Sequence, residues 1–167
     1  MKIENYAGVF LRNNGKVLLI KRGLHKSIAP GKYSCIGGRI EQNEMNNPIE
    51  AAYREIFEES GIVRDSISGL WLGYIVISRE HHTLYTTYIF FGETSQTEII
   101  ANDEGELFWI DEDKFANQDF SPSYTQLVAH YMQRDIDDFG IYVTVINESF
   151  GEFRISWFKM DERKRNS

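Results

Sequence analysis

Apolar and polar positions divide this chain into short elements. Tyr6–Arg12 and Lys16–Arg22 are apolar runs joined by Asn13-Asn14-Gly15, and Asn-Gly between such runs predicts a β-hairpin. Pro30-Gly31-Lys32 predicts a turn, with Tyr33–Ile36 a short strand behind it. Asn47-Pro48-Ile49-Glu50 opens a helix that runs to Ser60. Asn47 is placed to cap it, Pro48 suits its first position, and Glu50 stands where a capping-box acid belongs. Gly61 supplies a left-handed stop. Beyond it, Gly69–Ser78 and Leu84–Phe91 are rich in aromatic and β-branched residues and alternate as long paired strands, connected through Arg79-Glu80-His81-His82. Gln96–Glu104 is polar and loop-like, and Gly105–Ile110 returns to strand character before Asp111. A second helix opens at Ser121-Pro122-Ser123, capped either by Ser121 or by Ser123 with Gln126. Its Tyr124, Leu127, Val128 and Tyr131 form a core-facing stripe. Ile141–Ile146 and Glu152–Phe158 predict a last hairpin around Asn147–Gly151.

With 167 residues and no repeat or low-complexity linker, positions 1–160 form a single domain with a full core, and 161–167, DERKRNS, a charged and frayed tail. The net charge of -7 argues against a duplex nucleic-acid surface and fits an acidic metal site. Cys35 is the single cysteine, so there is no internal disulfide and no cysteine zinc cluster. Adjacent His81 and His82 would point to opposite faces of a strand, which favours an exposed turn over a metal pair. No apolar run reaches the length that spans a bilayer, and MKIENYAGVF lacks a signal-peptide plan, so the default location is cytoplasmic.

Candidate chemistry gathers before and along the first helix. Glu55, Glu58 and Glu59 are spaced i, i+3 and i+4, which puts three carboxylates on one face. A charge run of this kind ordinarily marks a solvated face. Gly37-Gly38, Glu41 and Glu44 precede the helix and change that reading, because paired glycines let backbone approach a ligand closely. Carboxylate and carbonyl oxygens suit Mg2+ or Mn2+ better than zinc, and such sites commonly handle phosphates. Lys21, Arg22, His25 and Lys26 form a basic cluster that is either a solvated loop or a phosphate contact.

The stretch GGRIEQNEMNNPIEAAYREIFEESGI resembles the Nudix box of the Nudix hydrolases. Gly38 is followed by five residues and Glu44, then by a nine-residue spacer and Arg54-Glu55-Ile56-Phe57-Glu58-Glu59-Ser60-Gly61-Ile62. The spacer is two residues longer than the family's; the excess falls in Met45-Asn46-Asn47, where it lengthens a loop and leaves the helix register alone. Asn43 stands where the family usually has Gly, and tolerates the left-handed conformation better than most residues. The resemblance implies the Nudix fold, an α/β (α+β) arrangement with a mixed β-sheet between helices, to which this chain would add its C-terminal hairpin. APGKYSCIGGRIE and EGELFWID resemble, more loosely, the MutT-like enzymes that clear oxidised nucleoside triphosphates.

Carried over by position, the resemblance makes Arg54 the arginine that holds the glutamates, and Glu55, Glu58 and Glu59 the metal-binding and water-activating carboxylates. The Gly37 carbonyl becomes a backbone metal ligand and Glu44 the early box glutamate. Many family members draw a further glutamate from a loop before the late strand, which here points to Glu104 first and Glu106 second. Arg22, Lys26 and Gly38 are the candidate substrate contacts. The expected activity is Mg2+- or Mn2+-dependent hydrolysis of a nucleoside triphosphate, an oxidised purine among the candidates, to monophosphate and pyrophosphate. Rival readings are hydrolysis of a nucleoside diphosphate linked to another group, such as ADP-ribose or a dinucleotide polyphosphate, and a non-enzymatic nucleotide sensor. The expected partner is a small nucleotide, with no duplex nucleic acid and no membrane, and a homodimer is left open.

Overall fold

The computed structural model describes residues 1–26, 29–100, 103, 105–146 and 155–160. Strands β1 (Lys2–Asn13) and β2 (Lys16–Arg22) form the expected hairpin. Asn14 and Gly15, at φ 47° and 74°, make its two-residue turn, with Arg12 opposite Val17. The predicted strand at Tyr33–Ile36 divides in two. β3 (Tyr33–Ser34) pairs with the end of β2, whereas β4 (Ile36–Arg39) pairs with β1, Gly37 facing Gly8 and Gly38 facing Ala7. The segment therefore wedges between β1 and β2, whose mutual pairing is confined to the residues beside their turn. That wedge places Gly37-Gly38 where the two strands part.

The later strands are β5 (Ile67–Glu80), β6 (Thr83–Thr94), β7 (Gly105–Asp111), β8 (Tyr142–Ile146) and β9 (Phe158–Lys159). All join one nine-stranded sheet in the order β3-β2-β1-β6-β5-β8-β9, with β4 on β1 and β7 on β2. β1 runs parallel to β6 and β5 parallel to β8; the other pairs are antiparallel, so the sheet is mixed. β1 begins earlier than its apolar run because Lys2–Asn5 pair with Thr83–Thr86. β5 and β6 likewise extend past their predicted ends, leaving His81-His82 as an exposed two-residue turn.

Helix α1 (Pro48–Ser60) has the predicted bounds, and α2 (Glu112–Phe115) and α3 (Pro122–Met132) follow. Alternate strand residues face opposite sides of the sheet. Val9, Leu11, Leu18, Ile36 and Phe90 pack with Ala51, Ala52 and Ile56 of α1. Phe10, Leu19, Cys35 and Phe91 pack on the other side with Leu127 and Val128 of α3, joined by Tyr124 and Tyr131 as the stripe predicts. The result is the expected α+β fold, a mixed sheet between helices.

The caps differ from expectation. Asn47 and Ser121 occupy the N-cap positions, but neither side chain makes a capping bond. Glu50 leaves the helix end to grip Arg64 with both oxygens, at 2.7 and 2.9 Å. Gly61 closes α1 in the left-handed conformation at φ 71°. Short α2 was not anticipated. In the last hairpin, β8 pairs antiparallel with β9, but β9 is only Phe158–Lys159; the hairpin's turn and the tail 161–167 lie outside the described residues. No helix among the described residues is long and apolar enough to cross a membrane.

Candidate active site

Arg54 is the hub of the site. Its Nε and Nη2 donate to the two oxygens of Glu44 at 2.8 and 2.9 Å. Its Nη1 donates to Glu55 at 2.6 Å and to Glu58 at 3.0 Å, and Nη2 also reaches the Arg39 carbonyl at 2.9 Å. One guanidinium thus ties the helix carboxylates to the turn before the helix and to the end of β4. Glu44, ahead of the longer spacer, is buried and also accepts the Glu41 N–H at 2.9 Å. The extra residues bulge outward as an exposed turn at Met45-Asn46.

Glu59 reaches the other glycine. Its Oε2 accepts the Gly37 N–H at 2.8 Å, so α1 is pinned to β4 from both sides of its acidic face. Gly37 has φ 152°, and a Cβ there would run into the Ala7 carbonyl. A Cβ on Gly38 would overlap the Glu55 carboxylate. These glycines let carboxylate and backbone share one space, which gives physical content to the sequence's paired-glycine signal.

Glu55 and Glu59 are 8% and 7% exposed, which overturns the solvated-face reading for both; Glu58 is the exposed member of the three. Burial pushes the Glu55 carboxyl above its ordinary range, against the pull of Arg54. Glu44 moves the other way, lowered chiefly by its bonds to Arg54. Arg54 itself is held firmly charged by Glu44 and Glu55. Among the described residues, no three His, Cys, Asp or Glu side chains converge closely enough to hold an ion. The physical reason is visible: Arg54 turns Glu55 and Glu58 toward itself while the Gly37 N–H draws Glu59 to β4.

The other candidates are more dispersed. Arg22 ends β2 opposite Gly105, and its N–H bonds the Lys32 carbonyl; the Lys26 N–H bonds the Gly23 carbonyl in the next turn. Glu104 lies outside the described residues, and Glu106 is exposed in β7 opposite Lys21. Trp109 packs against the α1-side core and donates its indole N–H to the Thr97 carbonyl at 2.9 Å. Gln96 is a tether that no sequence pattern marks. Its side chain accepts the Val63 N–H at 3.1 Å and donates to the Gly61 carbonyl at 3.2 Å. It fastens the loop that leads toward Glu104 onto the end of α1. A lone amide in a polar loop has no pattern to reveal it.

A family model for the NUDIX domain matches residues 2–131. The chain belongs to the Nudix family. Its activity class is accordingly that of a Nudix pyrophosphohydrolase. Among solved structures, the chain is similar to the MutT protein of Bacillus halodurans, with a TM-score of 0.70 and 18% identity over 91% of this chain and 97% of that one. The MutT protein of Methanosarcina mazei aligns with a TM-score of 0.64 and 19% identity, covering 80% and 97%. The NUDIX domain of Shewanella oneidensis NrtR, solved with ADP ribose, gives 0.56 and 17%, covering 80% and 88%. At these identities the likeness establishes the fold. The family match ends at residue 131, one residue before the end of α3, so β8 and β9 lie beyond it.

Proposed function

We propose that this Nudix hydrolase uses Mg2+ or Mn2+ to hydrolyse a purine nucleoside triphosphate, oxidised purines included, to monophosphate and pyrophosphate in the cytoplasm. The observation that carries the reading is the convergence of Glu55 and Glu59, both buried, on Gly37-Gly38. The donor set fits a hard dication: carboxylate oxygens, with backbone brought against them by two residues that lack a Cβ. Glu55, Glu58, Glu59 and the Gly37 carbonyl would hold the ion. When bound, it would neutralise the phosphate chain and make an attacking water more acidic.

The chain's own residues do the rest. Arg54 orients Glu55 and Glu58 through Nη1 while Glu44 fixes its other edge. Glu58, exposed beside the buried pair, would take a proton from water. Arg22 and Lys26 would meet the phosphates, and Gly38 leaves room for them. Glu104 would supply a further carboxylate: Glu104→Gln is expected to lower turnover roughly a hundredfold with an unchanged melting temperature, and Glu106→Gln to do far less. Full activity in Glu104→Gln at saturating metal would remove that residue from the mechanism.

The nearest rival is a nucleoside diphosphate linked to another group, a class that includes ADP-ribose. The observation in its favour is an open groove of about 860 Å3 beside Glu55, more room than pyrophosphate needs. A nucleotide screen with Mg2+, scored for pyrophosphate and inorganic phosphate, separates the two. Pyrophosphate release from triphosphates supports the first reading. Cleavage of ADP-ribose with triphosphates untouched would replace it by the second.

A further inference from the structure

Alternate residues of a strand face opposite sides of its sheet, and solvent ordinarily receives the polar set. β8 does the reverse. Tyr142 and Thr144 turn to the α3 side, where Tyr142 joins the aromatic core and Thr144 is fully buried. Val143 and Val145 turn to the α1 side, and Val145 is 63% exposed there. Phe158, opposite Val143 on β9, is 69% exposed on the same side. β5 brings Ile75 beside Val143 and Ile77 beside Val145. Thr86 and Leu84 of β6 carry the surface on to Ile3 of β1, which is again exposed. None of Ile3, Ile75, Ile77, Val143, Val145 and Phe158 belongs to either core.

The strands β6, β5 and β8, about 4.8 Å apart and rising about 3.3 Å per residue, make this face roughly 14 by 17 Å over the length of β8. Ile3 and Phe158 widen it at its two sides. An exposed apolar surface of this extent marks an interaction site. It matches the apolar centre of a subunit interface, around which a polar rim completes about 800 Å2 per partner.

Charge selects the occupant. Among the described residues of these rows the only charge is Arg79, at the end of β5 beside its turn. The chain as a whole carries -7, so two copies repel one another through most of their surface. They avoid that cost where charge is absent. An uncharged, β-branched surface is its own complement, which is what a two-fold interface requires. A membrane surface fits less well, because it calls for Lys and Arg around the apolar patch and Arg79 stands alone. Residues 161–167, DERKRNS, have no apolar side chain with which to cover it.

We infer that the α1-side face of β5, β8 and β9 is the interface of a two-fold homodimer, sheet stacked on sheet at about 10 Å. β8 and β9 lie beyond residue 131, so this half of the face is not part of the matched Nudix domain.

The test is sedimentation of the full chain from about 1 μM to about 100 μM, the range in which a weak dimer forms. The wild type is expected to show a monomer–dimer equilibrium that tightens as salt screens the like charges of the two copies. Val145→Glu sets a carboxylate of each copy into the stacked face and is expected to weaken the dimer by about a hundredfold or more. Phe158→Glu should act likewise. Ile136→Glu, at an exposed position outside the face, is expected to match the wild type. Circular dichroism checks that each variant folds. A monomer throughout, an equilibrium unaltered in both Val145→Glu and Phe158→Glu, or one weakened equally by Ile136→Glu would overturn the interface. So would a monomer that floats with phosphatidylcholine vesicles, which gives the face to a membrane. A monomer whose Val145 methyl groups escape a soluble relaxation agent in NMR would overturn it too, and would give the face to residues 147–154, which lie outside the described residues.

Discussion

At the scale of single residues, Gly38 has no room for a side chain because the Glu55 carboxylate already occupies the place of its Cβ. Gly38→Ala must push Glu55 or β4 aside, and a displacement of about 1 Å at a reacting group can cost about a hundredfold in rate. The expected outcome is a loss of that order in kcat with a cooperative thermal transition retained; unaltered kcat would show that Glu55 does not need this approach. Cys35 makes a second residue-scale prediction. Burial pushes its thiol from 9.0 up to about 11, against the bond to the Tyr124 hydroxyl at 3.2 Å. The folded state keeps the proton that the unfolded chain releases, so this contribution to stability is whole below about pH 9 and is lost as pH rises toward about 11. Denaturation midpoints should fall across that window and fall less in Cys35→Ala. The native thiol should also resist a thiol reagent at pH 8 until the chain unfolds. The spacing of Glu55, Glu58 and Glu59 was legible in the sequence because a helix repeats every 3.6 residues. Their different burial was not, since it depends on where β4 lies.

At the scale of elements, α1, β2 and the Asn-Gly turn follow from local rules, and each matches its expected bounds. Capping departs from the local pattern where a distant partner takes the side chain. Arg64, stacked 4.0 Å over Tyr53, takes both Glu50 oxygens and leaves the helix start without its capping box. The split of Tyr33–Arg39 into β3 and β4 was likewise hidden, because a wedge between two strands is a tertiary event. Arg134 shows the same limit. Only 4% exposed, its side chain stacks on Trp71, Tyr74 and Tyr142 at 5.1, 5.3 and 4.6 Å, and donates to the Asp138 and Gly140 carbonyls at 2.6 Å. Asp138 in turn binds the Tyr142 hydroxyl at 2.7 Å and Lys159 at 2.8 Å. This cluster ties β8 and β9 to the rest of the sheet and to the end of α3. Arg134→Ala is expected to cost about 3 kcal/mol, the scale of breaking a buried ionic contact, as measured by urea denaturation. A loss within experimental error of zero would show that β8 and β9 are held in some other way.

At the scale of the whole molecule, one sheet carries two unequal jobs. Its α1 side frames the carboxylates and glycines of the box, and its α3 side, with β8 and β9, buries an aromatic core. The acidic chain, at -7 overall, concentrates Glu44, Glu55, Glu58 and Glu59 around Arg54 and Gly37. Holding so many carboxylates near one guanidinium is readily understood if a dication completes the site. The most direct test is Mn2+ binding, read by the loss of the free-ion electron paramagnetic resonance signal, in wild type and Glu59→Gln with circular dichroism as the check on fold. A neutral amide is a poorer ligand for a hard dication than a carboxylate. The expected result is uptake of Mn2+ by the wild type and an affinity lower by about tenfold or more in a folded Glu59→Gln, in line with the scale of disturbed metal-site ligation. Equal affinity in the two proteins, or no uptake by the wild type even with nucleotide present, would contradict a metal-dependent hydrolytic site at Glu55, Glu58, Glu59 and Gly37.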